Sequence, residues 1–201
     1  MMNHNIPGKD YFKKHPLKEF SAARFAYSQL LMPEVEDIAL QMIPELEAKG
    51  IPFPDNSAIK EQIRQEQDVK KLLRLVRNNI PMDAKKDLTA KLKEHEAEVL
   101  PELQRIFLKA FNSSTIENIT RFMVECETNC ADWIRTNYHD IRDPYARSMM
   151  CLVLAFRGDM ADVVFLMGQV DHFEKNYPDK SYEQAPLIAL YELKARYSRQ
   201  Q

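Results

Sequence analysis

The chain has 201 residues, of which 45% are hydrophobic, enough for one mid-sized domain or two small ones with a buried core. Lys and Arg number 28 against 30 Asp and Glu, so the chain lacks the positive field that bulk nucleic acid or an anionic membrane requires. Only four glycines are present, which excludes most folds built on glycine-rich phosphate loops or tight hairpin turns.

Cysteine content and hydropathy bear on the cellular location. The three cysteines, Cys126, Cys130 and Cys151, are an odd number in a chain that needs no covalent staples, so a disulfide framework is not expected. The first residues lack the apolar core of a secretory signal. The longest apolar run, 149–156, is too short to cross a bilayer. We therefore expect a cytoplasmic protein without a membrane-spanning segment.

Proline and turn residues divide the N-terminal part. Residues 1–16 are polar and aperiodic, which predicts a loose N-terminal leader ahead of a single all-helical domain at 17–201. A first helix is expected at the start of this domain. A second is expected from Pro33 to Gly50, because apolar residues recur there at three- and four-residue spacing. Prolines and turn formers cluster at 50–57, which is a candidate sub-domain boundary.

Amphipathic helices are predicted in the middle of the chain. One covers 58–78, where the apolar residues lie on one face. Another runs from Asp83 to a break at Pro101, because proline disrupts a helix interior. Ser114 opens a capping box, which predicts a further helix that ends near Tyr138.

Three more helices are predicted in the C-terminal part. Asp143 followed by Pro144 is a helix start signal, and the apolar face of this helix is wide enough to indicate burial on most sides. Asp159 caps the next helix, and Ser181 opens the last. No segment shows sustained alternation with turn glycines. The sequence therefore predicts an all-α fold of about seven to eight helices arranged as antiparallel hairpins.

One stretch carries a family resemblance. An Asp-Pro cap, an arginine three residues after the proline, a Gly-Asp turn and paired aliphatic residues follow one another between residues 143 and 167. The residues in these places are Asp143, Pro144, Arg147, Ala155, Gly158, Asp159, Val164 and Leu166. The stretch resembles a HEAT-type helical repeat, and a weaker echo at 182–197 follows about 40 residues later. The resemblance implies an irregular right-handed solenoid or bundle, HEAT-like over 114–201.

Motifs of the common enzyme classes are absent. The chain has no nucleophile elbow, Walker loop, dinucleotide fingerprint or His-Glu-x-x-His pattern, so no catalytic or cofactor-binding residue is predicted. Cys126 and Cys130, four residues apart, could form a zinc ligand set with His139 or Cys151. Both lie on an apolar stripe, however, where free cysteine packs as a small hydrophobic residue. No metal site is predicted.

A local excess of basic residues occupies 60–93. Four of them fall close to one helical stripe and are candidate phosphate contacts: Lys60, Arg64, Lys71 and Arg74. Some HEAT-like folds grip damaged DNA and excise alkylated bases, so the resemblance and this patch together support an alternative function as a nucleic-acid-binding protein or DNA base-excision enzyme. The helix carries no aromatic residue to stack on bases, which makes nucleic acid the less favoured partner.

Five residues are of types that dominate protein-binding surfaces: Trp133, Arg135, Tyr138, Arg147 and Tyr182. The sequence therefore favours a non-catalytic helical scaffold or adaptor, which binds another protein through a face of the helical stack. A third hypothesis is a small-ligand pocket between the helices, lined by Met and Phe side chains. The oligomeric state is left open.

Overall fold

The chain folds into α-helices joined by short turns. A computed structural model describes residues 6–31, 44–51 and 55–198. Within these ranges no residue lies in a β-strand, which confirms the predicted all-α class. Eleven α-helices have both ends within the described residues: α1 Lys9–Lys14, α2 Ala22–Leu31, α3 Ser57–Gln65, α4 Val69–Val76, α5 Met82–Lys93, α6 Glu96–Phe107, α7 Ser113–Glu125, α8 Ala131–Asn137, α9 Pro144–Arg157, α10 Val163–Asn176 and α11 Gln184–Ser198.

Two helix starts in the C-terminal part follow the sequence signals. The Asp143 carboxylate accepts a hydrogen bond from the Ala146 amide and caps α9, which begins at Pro144. Asp159 and Asp162 form a reciprocal capping box at the short 3₁₀ turn before α10. The turn is tight at Gly158, where an added Cβ would come within 2.5 Å of the Leu154 carbonyl oxygen. Any side chain at residue 158 would clash with the backbone of α9, so this position requires glycine.

The described chain has more helices than the sequence predicts because two long predicted helices are each divided. The 58–78 segment is interrupted between α3 and α4, where the Glu66 carboxylate accepts hydrogen bonds from the Gln67 and Asp68 amides. Asp68 then caps α4 through the Lys70 amide. Local side-chain bonds to the backbone thus end one helix and start the next.

The predicted 114–138 helix is divided in the same way. It begins two residues early, because Asn112 rather than Ser114 provides the cap through the Thr115 amide. It breaks at Cys126, whose backbone is extended, and the chain resumes as α8. The Arg157 guanidinium donates hydrogen bonds to the Val124 and Cys126 carbonyl oxygens that this break leaves free.

Two proline and serine signals also have different outcomes from those predicted. Pro101 lies inside α6 instead of breaking it, because Val99, Leu100 and Leu103 on either side are buried and hold the helix together. The last helix begins at Gln184, three residues after the predicted start. Ser181 has a φ of 56°, which no residue within a right-handed helix adopts.

The described part of the predicted leader, residues 6–16, is packed and not loose. It contains α1, and the Phe12 ring lies 4.0 Å from the Tyr191 ring between centroids. His15 is buried and hydrogen bonds to Glu174 over 2.7 Å. The leader is polar overall, but the Phe12 and His15 rings face inward. They hold the leader against α11 and α10.

The predicted helix from Pro33 to Gly50 falls mostly outside the described residues. Its last part, 44–48, is helical. Gly50 has a φ of 73°, and the Ile51 amide donates to the Leu46 carbonyl oxygen. This is the left-handed glycine stop that the sequence predicts for the end of the helix.

Helix α9 lies at the centre of the packing. Its side chains from Ser148 to Ala155 are all at most 1% exposed. Helices α2, α7, α8 and α11 pack around it, and α11 also packs against α10. Helices α3 to α6 continue the core on the far side of α7. The wide apolar face predicted for this helix is therefore covered on several sides.

A partly buried ion-pair network joins α8 to the turn between α9 and α10. The Arg135 guanidinium forms two hydrogen bonds of 2.8 Å to the Asp162 carboxylate, which is 2% exposed. It also bonds to Asp132 and Asp159. Because the Asp162 charge is buried, its pairing with Arg135 matters for stability.

We expect Arg135→Gln to lower the free energy of unfolding by about 2–3 kcal/mol, since it leaves a buried carboxylate without its cation. Urea denaturation measures this change. The matched control is Arg105→Gln, because Arg105 and its partner Glu102 are 65% and 45% exposed. The control is expected to cost less than about 0.5 kcal/mol. Equal losses in both variants would contradict the assigned role of Asp162.

Candidate functional site

The five predicted interface residues do not form one exposed surface. Tyr138 is 2% exposed, and its hydroxyl donates a 2.8 Å hydrogen bond to Gln169. Arg147 donates to the carbonyl oxygens of Ile141 and His139, so it orders the turn before α9. Arg135 is held by the network described above. The prediction of Tyr138 as an interface residue is corrected, because its aromatic ring packs into the core.

The other two predicted interface residues are half-buried. Trp133 packs against the core from α8. Tyr182 lies among the rings of Tyr145, Phe173 and Tyr177, with centroid distances of 5.7 to 6.0 Å. Both contribute mainly to packing, so neither defines a free binding surface.

The predicted phosphate contacts are largely neutralised. Lys60 and Arg64 on α3 pair with Asp83 and Asp87 on α5, at 3.8 Å and 2.8 Å. Lys71 pairs with Glu66 at 3.4 Å. Arg74 makes no ion pair within the described residues. Within the described chain, only Arg74 of the predicted stripe is therefore unpaired. The carboxylates on α5 belong to a different helix, so the residue spacing within the stripe could not reveal them.

The cysteines and the histidine that were considered as zinc ligands do not gather into one cluster. The Cys126 and Cys130 sulfur atoms are 3.6 Å apart in the α7–α8 turn. Cys151 instead contacts the Tyr138 hydroxyl. Burial raises the pKa of the Cys151 thiol to about 12. His139 is exposed. A hydrogen bond with Cys130 lowers the pKa of the Cys126 thiol. The two close cysteines are thus a buried pair without further ligands among the described residues.

The predicted pocket lined by Met and Phe is small where those side chains meet. A cavity bordered by Phe25 and Met149 has a volume of about 20 Å³. Ligand pockets usually enclose several hundred Å³. This cavity has room for about one water molecule.

A larger groove lies where α4, α6 and α7 meet, and we call it the basic groove. Its volume is about 400 Å³. Its lining residues are Arg77, Arg105, Ile106, Lys109, Ala110, Phe111, Asn112 and Thr115. They come from the last turns of α4 and α6, the loop that follows α6, and the first turn of α7.

Positive charge and an exposed aromatic ring characterise the basic groove. Arg105 bonds to Glu102 on the same helix. Arg77 and Lys109 are exposed, and their side chains make no ion pair with any described residue. Phe111 is 66% exposed. Cations are favoured at helix C-terminal ends, which explains the local placement of Arg77 and Lys109. The groove thus combines two unpaired cations with an apolar contact surface.

Sequence reasoning does not identify the basic groove. Arg77 belongs to the 60–93 basic segment, but Arg105 and Lys109 lie outside it. Phe111 continues an apolar pattern, which predicts a buried residue. In the structure, the chain turns after α6 and the Phe111 ring is exposed to solvent.

Comparison with protein-family models, with curated proteins and with solved structures finds no match to this chain. Across the described ranges, no helix has both the length and the apolar character that a membrane crossing requires.

We expect Tyr138→Phe to lower the free energy of unfolding by about 1 kcal/mol at pH 7, since the Gln169 oxygen loses its donor. Burial raises the pKa of Tyr138 above its ordinary value in the folded state. The unfolded chain therefore loses this proton first, and the Tyr138 contribution to stability falls as the pH rises above about 10.

Urea denaturation at pH 7, 8 and 10.5 measures both effects for the wild type and the variant. The stability difference between them is expected to be constant from pH 7 to pH 8 and to narrow at pH 10.5. A difference that stays constant up to pH 10.5 would show that the Tyr138 hydroxyl titrates alike in the folded and unfolded states.

Proposed function

We propose that this protein is a non-catalytic helical adaptor that binds an acidic, partly apolar segment of another protein in the basic groove. The observation that carries the proposal is the pair of unpaired cations, Arg77 and Lys109, beside the exposed ring of Phe111. Cations that lack an internal partner are available to carboxylates of a second chain.

The composition of the basic groove favours a protein segment over nucleic acid. Phe111 and Ile106 offer an aromatic and an aliphatic contact, which suit an apolar side chain of a peptide. Nucleic acid needs a longer track of phosphate contacts. Lys60 and Arg64, which would extend such a track, are paired with Asp83 and Asp87.

The helical stack supplies a rigid frame for this groove. We propose that α9 to α11 form a HEAT-like unit, in which Asp143 and Asp159 cap successive helices and Arg147 orders the preceding turn. The groove lies at the other end of α7 from the Arg157 contact, on helices outside this unit. The described cysteines are free and buried, which supports a reducing, cytoplasmic setting.

Fluorescence anisotropy tests the proposal with a labelled short peptide of Asp, Glu, Leu and Phe. We expect binding that the double variant Arg77→Glu, Lys109→Glu weakens at least about tenfold, because both attractive charges become repulsive. A peptide with Asn and Gln in place of the acids is expected to bind more weakly than the acidic one.

The matched control is Lys175→Glu, Lys180→Glu, which changes the net charge equally at exposed positions outside the basic groove. It is expected to retain peptide binding. Equal weakening by both double variants would show an effect of total charge and overturn the proposal. Tight, salt-dependent binding of a labelled single-stranded oligonucleotide, without binding of the peptide, would support the nucleic-acid alternative.

A further inference from the structure

A second group of polar side chains lies where α1 meets α10, away from the basic groove. His15 is the C-cap residue of α1, and Asp171 and Glu174 lie one turn apart on α10. One ligand atom from each residue lies within 4.8 Å of the other two. The imidazole Nδ1 is 2.7 Å from a Glu174 carboxylate oxygen. Three donor groups from two helices therefore converge on one point.

The environment of these three groups is unusual for a surface ion pair. His15 is 3% exposed, whereas the two carboxylates reach solvent. No Lys or Arg among the described residues pairs with Asp171 or Glu174 in an ion pair. Two carboxylates thus lie close together without a cationic partner other than the imidazole, an arrangement that a divalent cation would stabilise.

The half-buried Tyr11, whose hydroxyl is buried, provides an independent observation beside the group. The Tyr11 hydroxyl is buried and has no hydrogen-bond partner. Its ring lies 4.5 Å from the His15 ring between centroids. An unsatisfied buried hydroxyl of this kind has a free donor for a water molecule held at the site.

We propose that His15, Asp171 and Glu174 form a binding site for Zn²⁺. Zinc is commonly bound by imidazole nitrogen together with carboxylate oxygen. Three protein ligands leave one position of a tetrahedral site for water. Zinc exceeds manganese and iron in affinity for such ligands.

The imidazole ligand distinguishes this site from a magnesium or calcium site. Both of those cations prefer oxygen ligands, and magnesium retains most of its water. Bound zinc would replace the His15 to Glu174 hydrogen bond by two metal bonds. It would then connect the N-terminal helix to α10, in addition to the packing of Phe12 on Tyr191.

Isothermal titration calorimetry of the full chain with ZnCl₂ tests this site. We expect one equivalent of zinc to bind, and Asp171→Asn and Glu174→Gln each to weaken binding at least about tenfold. Both substitutions keep the side-chain size and lie at exposed positions, so the fold is expected to persist, and circular dichroism checks it. Mg²⁺ in excess is expected not to compete.

The matched control is His172→Gln, since His172 adjoins Asp171 on α10 but bonds to Asn176. It is expected to bind zinc as the wild type does. An absence of zinc binding by the wild type would overturn the proposal. Zinc binding that is unchanged in both carboxylate variants, or lost in His172→Gln, would also overturn it, because the ion would then be held by other groups.

A second readout is thermal. Zinc is expected to raise the Tm of the wild type in a concentration-dependent way and to leave the Tm of Asp171→Asn nearly unchanged. The basic groove variant Arg77→Glu, Lys109→Glu is expected to keep the zinc response. The metal site and the adaptor function can therefore fail independently of each other.

Discussion

The burial of helix α9 is the constraint on which the rest of the structure depends. Its apolar residues surround the helix almost completely, so no single neighbour can cover them. Helices α2, α7, α8 and α11 are therefore required around it, and they come from the N-terminal, middle and C-terminal parts of the chain. Helix α2 packs against α9 and α11, which brings the N-terminal part of the chain into contact with the C-terminal part. The leader helix α1 then adds to the outer face of α11, where Phe12 meets Tyr191.

Arginine side chains secure the helix ends that this packing leaves within the protein. Arg157, at the end of α9, bonds to carbonyl oxygens at the end of α7. Arg196 on α11 bonds in turn to the Ala155 and Gly158 carbonyl oxygens at the C-terminal end of α9. A guanidinium offers several donors and a permanent charge, which suits the free carbonyls and the negative end of a helix. These contacts fix the relative positions of three helices through polar bonds as well as apolar burial.

The two proposed sites occupy different parts of this frame. The basic groove is formed by helix ends and a loop, where unpaired cations and the Phe111 ring remain in solvent. The proposed metal site lies between the first helix and α10, where a buried imidazole meets two exposed carboxylates. Neither site involves the central helix. The core therefore acts as a scaffold. The residues of both proposed sites lie at its periphery, where the packed helices hold them in place.

The sequence by itself determined the all-α class, the starts of α9 and α10 and the stop at Gly50, because caps and apolar periodicity are local properties. It could not determine the partner of each charge. Lys60 and Arg64 looked like a phosphate stripe until α5 placed Asp83 and Asp87 against them. It also could not show that His15 approaches α10, or that Arg77, Lys109 and Phe111 share a groove. These contacts join residues far apart in the chain, so only the packing of whole helices decided them.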